Sequence, residues 1–287
     1  MNSQPAQSSL GQLAGAALKI RDIEVLGAAG ALQARLYSAA DGSAKLDSLV
    51  VFFHGGGFVE GDLEDVHEFL VHLVTNNPER LVLASSYTLA PVSPFPAAVE
   101  DAHAVLTWAR KNKAKLGWSG KQLVTGGIEA GANLAAVSAL MSRDRGGPEL
   151  AGQILIMPML DPGLSTGSMR AMPDATLVEV ADACAACYRG YLPNAADRTH
   201  PYASPLQSSR LKNLPPALIL SAEDDPLRDE AEQYGAKLIA CGVQTTVQRL
   251  QPAPLTEPGA RNECACRQHA LSAIGVYLSA LDGERPS

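Results

Sequence analysis

Short, continuously apolar runs alternate with longer segments of helical spacing through most of the chain. Residues 49–53, 81–85, 153–157 and 217–220 are such runs, bounded by turn signals, and residues 122–126 and 245–250 read as two further, less apolar strands. Lengths of four to six with no alternation suit strands buried on both faces. Between them, residues 96–108, 132–143, 229–241 and 267–281 carry apolar side chains at helical intervals. In the last of these Leu271, Ile274, Tyr277, Leu278 and Leu281 fall on one face. Strand–helix alternation of this kind predicts an α/β architecture: a mostly parallel twisted sheet with helices on both faces. Residues 164–210 break the rhythm, with a helix at 175–191 followed by a polar, Pro/Ser-rich stretch. They are expected to lie over the sheet as a helical cap, together with about residues 1–25. At 287 residues the whole chain, 1–287, fits a single large domain.

Composition narrows the partners. Net charge is −7, with no cluster of basic residues, which argues against nucleic acid or an anionic membrane surface. The first thirteen residues have neither a basic start nor an apolar run, so the expected location is the cytoplasm. Five cysteines in a chain of this length do not make a disulfide framework.

The chemistry centres on the segment Gly126-Gly127-Ile128-Glu129-Ala130-Gly131. It has the frame G-x-S-x-G, a strand–turn–helix elbow that presents a serine, with Glu129 where the serine would be. Three further segments accompany it in order: His54-Gly55-Gly56-Gly57-Phe58 after a strand, Tyr87-Thr88-Leu89-Ala90-Pro91 with Pro94-Phe95-Pro96 beyond, and Asp225-Pro226-Leu227-Arg228-Asp229-Glu230 after another strand. Together these resemble the hormone-sensitive-lipase branch of the α/β-hydrolase fold, a family of carboxylesterases. The resemblance runs from about residue 20 to the end. It implies an oxyanion hole from the backbone N–H groups of Gly56, Gly57 and Ala130, and Asp225 as the acid of a Ser-His-Asp triad. It also implies a substrate pocket over Glu129, with His54 and Phe58 of the glycine loop beside it.

The chain departs from the family at decisive positions. The family's histidine would stand near Pro254 or Leu255, and residues 251–266 contain no histidine. His269 lies inside the last predicted helix. Ser86, Thr88 and Val92 replace charged residues usual in the family. A carboxylate nucleophile is known chemistry on this fold, but its covalent ester must be cleared by a water that a base activates. Glu129 instead suits a helix N-terminus, which attracts an anion, and there it either fills the oxyanion hole or meets a ligand.

Two cysteine pairs compete for attention: Cys184 and Cys187, and Cys264 and Cys266. If both pairs reach one pocket mouth they could bind a metal or act as a thiol switch. The leading expectation is an esterase-family protein without serine-hydrolase activity, holding a small, largely apolar ligand or a protein partner in the retained pocket. Alternatives are a divergent hydrolase acting through Glu129 and a module responsive to metal or redox through the cysteines. No cofactor is expected, and a homodimer is left open.

Overall fold

In the computed structural model, residues 18–39, 45–170, 175–252 and 260–283 are described. The apolar runs pack as strands because their side chains alternate between two cores. In β3 (Leu46–Phe53), Leu49, Val51 and Phe53 enter one hydrophobic core while Val50 and Phe52 enter another. A polar side chain on either face would break one of them, which explains the unbroken apolar run.

The eight strands β1 (Leu18–Leu26), β2 (Ala31–Ala39), β3, β4 (Arg80–Ser85), β5 (Trp118–Ile128), β6 (Gly152–Ile156), β7 (Ala217–Ala222) and β8 (Thr245–Leu250) form one sheet in the order β1-β2-β4-β3-β5-β6-β7-β8. From β4 to β8 all neighbours are parallel; β1–β2 and β2–β4 are antiparallel. The helices are α1 (His67–Asn76), α2 (Ala97–Lys111), α3 (Lys113–Leu116), α4 (Ala130–Arg145), α5 (Gly167–Arg170), α6 (Ala175–Tyr191), α7 (Arg228–Ala240), α8 (Ala260–Cys266) and α9 (Gln268–Gly283). Side chains of α2, α4 and α7 cover one face of the sheet; those of α1, α8 and α9 cover the other. Helix α4 is buried along nearly its whole length, from Ala130 to Ser142. Its alanines let it touch the sheet, α2 and α7 at once, since larger side chains would hold the backbones apart.

One expectation is corrected. Residues 18–25 do not belong to a cap: they form most of β1, the outer strand of the sheet, paired residue for residue with β2. Six of its nine residues are exposed, as an antiparallel edge permits. Residues 1–17 lie outside the described residues. The helix at 175–191 is α6, which stands over the carboxyl end of the sheet and walls the cavity described below. Among the described residues no helix is long and apolar enough to cross a membrane.

Register places the site. Phe53 at the end of β3 lies opposite Gly127 near the end of β5, so the glycine loop and the elbow leave the sheet at the same level. The chain order reverses at β3, where α1 and α4 diverge to opposite faces. A crevice opens there at the carboxyl ends of the strands, the usual ligand position in open α/β sheets.

Candidate active site

Glu129 sits on a backbone that few non-glycine residues adopt, at φ 56° and ψ −114°. Strain of this kind costs about 1–3 kcal/mol and persists where the surroundings enforce it. Here they do: Glu129 N–H donates to the Ile156 carbonyl at 2.9 Å, and its own carbonyl accepts from Met159 and Asn133 at 3.1 and 3.2 Å. The flanking glycines leave no alternative. A Cβ on Gly127 would lie 2.2 Å from the Gly131 backbone, and one on Gly131 would lie 2.1 Å from the Phe53 carbonyl oxygen. The elbow of the sequence motif is therefore present, with a carboxylate at its tip.

That carboxylate turns back onto the glycine loop. Gly56 N–H donates to Glu129 Oε2 at 3.0 Å, so the side chain occupies one of the donors expected to form the oxyanion hole. Gly57 is adjacent in the same loop, and Ala130 begins α4 beside it. Beneath the loop His54 is 1% exposed, with its Nδ1 2.7 Å from the Gly55 carbonyl and its ring stacked on Tyr87 at 4.4 Å. Burial holds its pKa below the usual value, and because the Gly55 carbonyl can only accept, the Nδ1–H is the donor. The Tyr87 hydroxyl in turn donates to the His54 and Gly55 carbonyls. Phe58 is fully buried and stacks on Tyr191 at 3.8 Å. Neither His54 nor Phe58 lines the cavity as expected. Their rings are needed underneath, where they brace a loop that has no side chains of its own.

Asp225 follows β7 and is 1% exposed. Its Oδ1 accepts the Leu227 N–H at 2.9 Å, a local turn contact that fixes the carboxylate before α7. No described histidine hydrogen-bonds to Asp225 or Glu129; the nearest partner is Arg261, in the first turn of α8. Arg261 Nε donates to Asp225 Oδ2 at 2.9 Å and Nη2 to Oδ1 at 3.0 Å, a bidentate pair. Its Nη1 lies 3.6 Å from Glu129 Oε1, close enough for attraction but too far for a good hydrogen bond. Burial disfavours the charge of Arg261, but Asp225 and then Glu129 more than reverse this and hold its pKa well above the ordinary value. The guanidinium is thus a fixed cation between the two carboxylates.

Arg261 was absent from the sequence expectations, which placed a base near Pro254 or Leu255; both lie outside the described residues. His269 is exposed on α9 and touches Gln248 at 2.7 Å, far from this chemistry along the sheet. The signal that could have found Arg261 was the burial of Asp225. A buried carboxylate without a histidine needs another cation, and residues 251–267 offer only Arg261 and Arg267.

Above these groups is a cavity of about 670 Å³. Its walls include Gly55, Gly56 and Gly57, Ile128, Val180, Ala183, Cys184 and Cys187 of α6, Ala260 and Asn262, with the carboxylates Glu60, Asp62, Asp65 and Glu129. They are less apolar than the sequence suggested. Cys187 Sγ packs directly on Gly57, within 2.3 Å of where a Cβ there would stand.

The four cysteines expected at one mouth separate into three places. Cys184 and Cys187 face this cavity; Cys264 is buried in the core beneath α1 and α9, and Cys266 borders a different hollow with Glu64 and Glu68. All five cysteines are free, and no group of three or more His, Cys, Asp or Glu side chains among the described residues could hold a metal ion. Burial, reinforced by Glu129, pushes the Cys187 thiol up to about 11, and burial pushes Cys184 up to about 12. Neither is a thiolate near neutrality, the form needed for metal binding or disulfide exchange. Val92, one of the family departures, is 82% exposed, so its missing charge has no bearing on the site.

Known proteins place this geometry. LipN, a carboxylic ester hydrolase of Mycobacterium tuberculosis, is 38% identical over 237 residues, covering 80% of this chain and 62% of LipN. An arylesterase of Saccharolobus solfataricus is 34% identical over 199 residues, covering 69% of this chain and 64% of its own length. The chain thus spans somewhat less than two thirds of the length of these two relatives. Among solved structures, a hyperthermophilic esterase of Pyrobaculum calidifontis superposes with a TM-score of 0.77 at 34% identity, over 92% of this chain and 85% of that one. A thermostable esterase of Pseudomonas putida gives 0.81 at 30% identity, over 96% and 86%. A family profile described as alpha/beta hydrolase fold matches residues 50–254, well over half of the sequence. With a profile match over most of its length and a fold that superposes on those of esterases, the chain belongs to the alpha/beta hydrolase fold family.

Proposed function

We propose that this chain is an esterase-family protein that does not hydrolyse esters and uses the cavity above Glu129 to bind a small molecule. The observation that carries this reading is the bidentate Arg261–Asp225 pair. In a working triad the acid orients an imidazole that takes a proton from the nucleophile and later returns it. A guanidinium is protonated at any accessible pH and accepts nothing. Its charge, set beside Glu129, also opposes nucleophilic attack by that carboxylate, since attachment to an acyl carbon would remove the negative charge that Arg261 holds. Glu129 meanwhile covers the Gly56 N–H that would stabilise an oxyanion. Stabilisation of charge survives at the site, but no described histidine is in place to transfer a proton. Free thiols throughout fit a reducing, cytoplasmic setting.

Release of nitrophenol from short-chain p-nitrophenyl esters tests this. Wild type and Glu129→Ala are expected to match the uncatalysed rate. Turnover by wild type that disappears in Glu129→Ala would favour instead a divergent hydrolase acting through the glutamate.

A further inference from the structure

Glu129 is held the way a binding site holds a carboxylate ligand. Its Oε2 accepts the Gly56 N–H at 3.0 Å and lies so close to the glycine loop that a Cβ on Gly55 would stand 2.8 Å away. Its other oxygen, Oε1, faces Arg261 Nη1 at 3.6 Å. Neither of these two groups depends on Glu129 for its position. The Gly56 carbonyl accepts the Val59 and Glu60 N–H groups at 3.0 Å, and the Tyr87 hydroxyl braces the loop from below. Arg261 has Nε and Nη2 committed to Asp225, whose carboxylate is itself anchored by the Leu227 N–H. Among the described residues no hydrogen-bond acceptor takes a proton from Nη1.

The fit is limited by the tether. The backbone of Glu129 is pinned by Ile156, Met159 and Asn133, so its side chain starts from a fixed point. From there Oε2 reaches Gly56 while Oε1 stops beyond hydrogen-bond distance of Nη1. A carboxylate without that tether can close the gap and gain a charge-assisted hydrogen bond as well as the Gly56 contact. Charge decides when this happens. Two carboxylates, Glu129 and Asp225, already face the one guanidinium, so another anion at this place meets net repulsion. With Glu129 shortened, Arg261 and Asp225 balance and both donors stand ready.

We infer that the Gly56 N–H and Arg261 form a carboxylate-binding site that Glu129 fills as an intramolecular ligand, closing the cavity floor of the native chain to organic acids. The floor is self-occupied whatever the space above it binds. Glu129→Ala removes a –CH2–COO⁻ group, the size of acetate. Melting temperatures of wild type and this variant near neutral pH, in sodium acetate against equal sodium chloride or acetamide, test the assignment. Acetate at about 100 mM is expected to raise the variant by about 2 °C over the salt control, for a dissociation constant near about 10 mM, and to approach saturation. Wild type should respond no more to acetate than to chloride. Glu129→Gly, which suits the positive φ of 56° and leaves room for propionate, gives a second reading should alanine weaken the elbow. The triple variant Glu129→Ala/Arg261→Ala/Asp225→Ala, without the cation, should lose the acetate response. Equal responses in wild type and both single variants would overturn the assignment. So would acetamide acting as well as acetate, or a response that survives in the triple variant. Ester turnover by wild type would remove the non-hydrolytic reading but would not shift these melting temperatures.

Discussion

Replacing Arg261 with alanine strands the most buried charge of the site. Asp225 has no side-chain exposure, and among the described residues Arg261 supplies two of its three hydrogen bonds. Removing one partner of a buried ion pair typically costs about 3–5 kcal/mol, because the survivor keeps its desolvation penalty and loses its compensation. With an unfolding entropy near 2 cal/mol/K per residue, a chain of 287 residues has an unfolding entropy of about 0.6 kcal/mol/K. The melting temperature of Arg261→Ala should therefore fall by about 5–8 °C. The double variant Arg261→Ala/Asp225→Ala should recover much of that loss, since neither charge is then left alone. Arg261→Lys should fall between, because an ammonium cannot reproduce the two-pronged contact. Calorimetry and urea unfolding of the wild type, both single variants and the double variant give the coupling energy directly. A loss below about 1 kcal/mol for Arg261→Ala, or additive single losses, would refute the claim that Arg261 holds Asp225 in place.

Other consequences are independent of that pair. Glu230 is 1% exposed, and burial, with Asp161 beside it, pushes its pKa well above the carboxylate range. Its neutral form is the one the fold favours, so this contribution is complete below the unfolded value near 4.3 and is lost as pH rises towards the folded one. Wild-type stability should decline across that window more steeply than that of Glu230→Gln, and equal slopes in urea melts would argue against it. Cys187, at about 11 against an ordinary thiol near 9, should carry roughly a hundredfold less thiolate at pH 8. Its alkylation by iodoacetamide, followed by mass spectrometry, should be correspondingly slow; labelling at the rate of a free thiol would contradict the burial assigned to α6 over Gly57. Gly131→Ala drives a Cβ into the Phe53 carbonyl and should cost more than about 4 kcal/mol, whereas Gly30→Ala, with open space around it, should stay within about 1 kcal/mol.

The parts of the fold legible in the sequence were those where one physical demand dominated. Strands buried on both faces have no choice but largely apolar runs, so β3 to β7 were recognisable from residues 49–53 onward. Helix α4 announced itself through its alanines and the glycines that precede it. The outer strands were harder. β1 is mostly exposed, with Lys19, Arg21, Asp22 and Glu24 giving it a polar look, and its residues up to about 25 read as cap. Helix α1 carried a usable signal, Phe69, Leu70, Leu73 and Val74 at helical spacing, but it is short and its N-terminus has no side-chain cap. At the site, Glu129, Asp225 and the glycine loop could be placed because backbone geometry dictates their neighbours in sequence. Arg261 could not be placed that way. Its role comes from a contact across 36 residues with Asp225, and a search for a proton-transfer group passes over a residue that cannot transfer one.

The most direct test of the site is hydrolysis of p-nitrophenyl butyrate by Glu129→Ser, alone and combined with Arg261→His. The expected result is background rate for the single variant, which regains a nucleophile but no base, and turnover rising with imidazole deprotonation for the double variant, which has Ser, His and Asp225. Turnover by Glu129→Ser alone, lost again in Asp225→Asn, would mean that a base operates at this site with the guanidinium still in place, and would contradict the role given to Arg261.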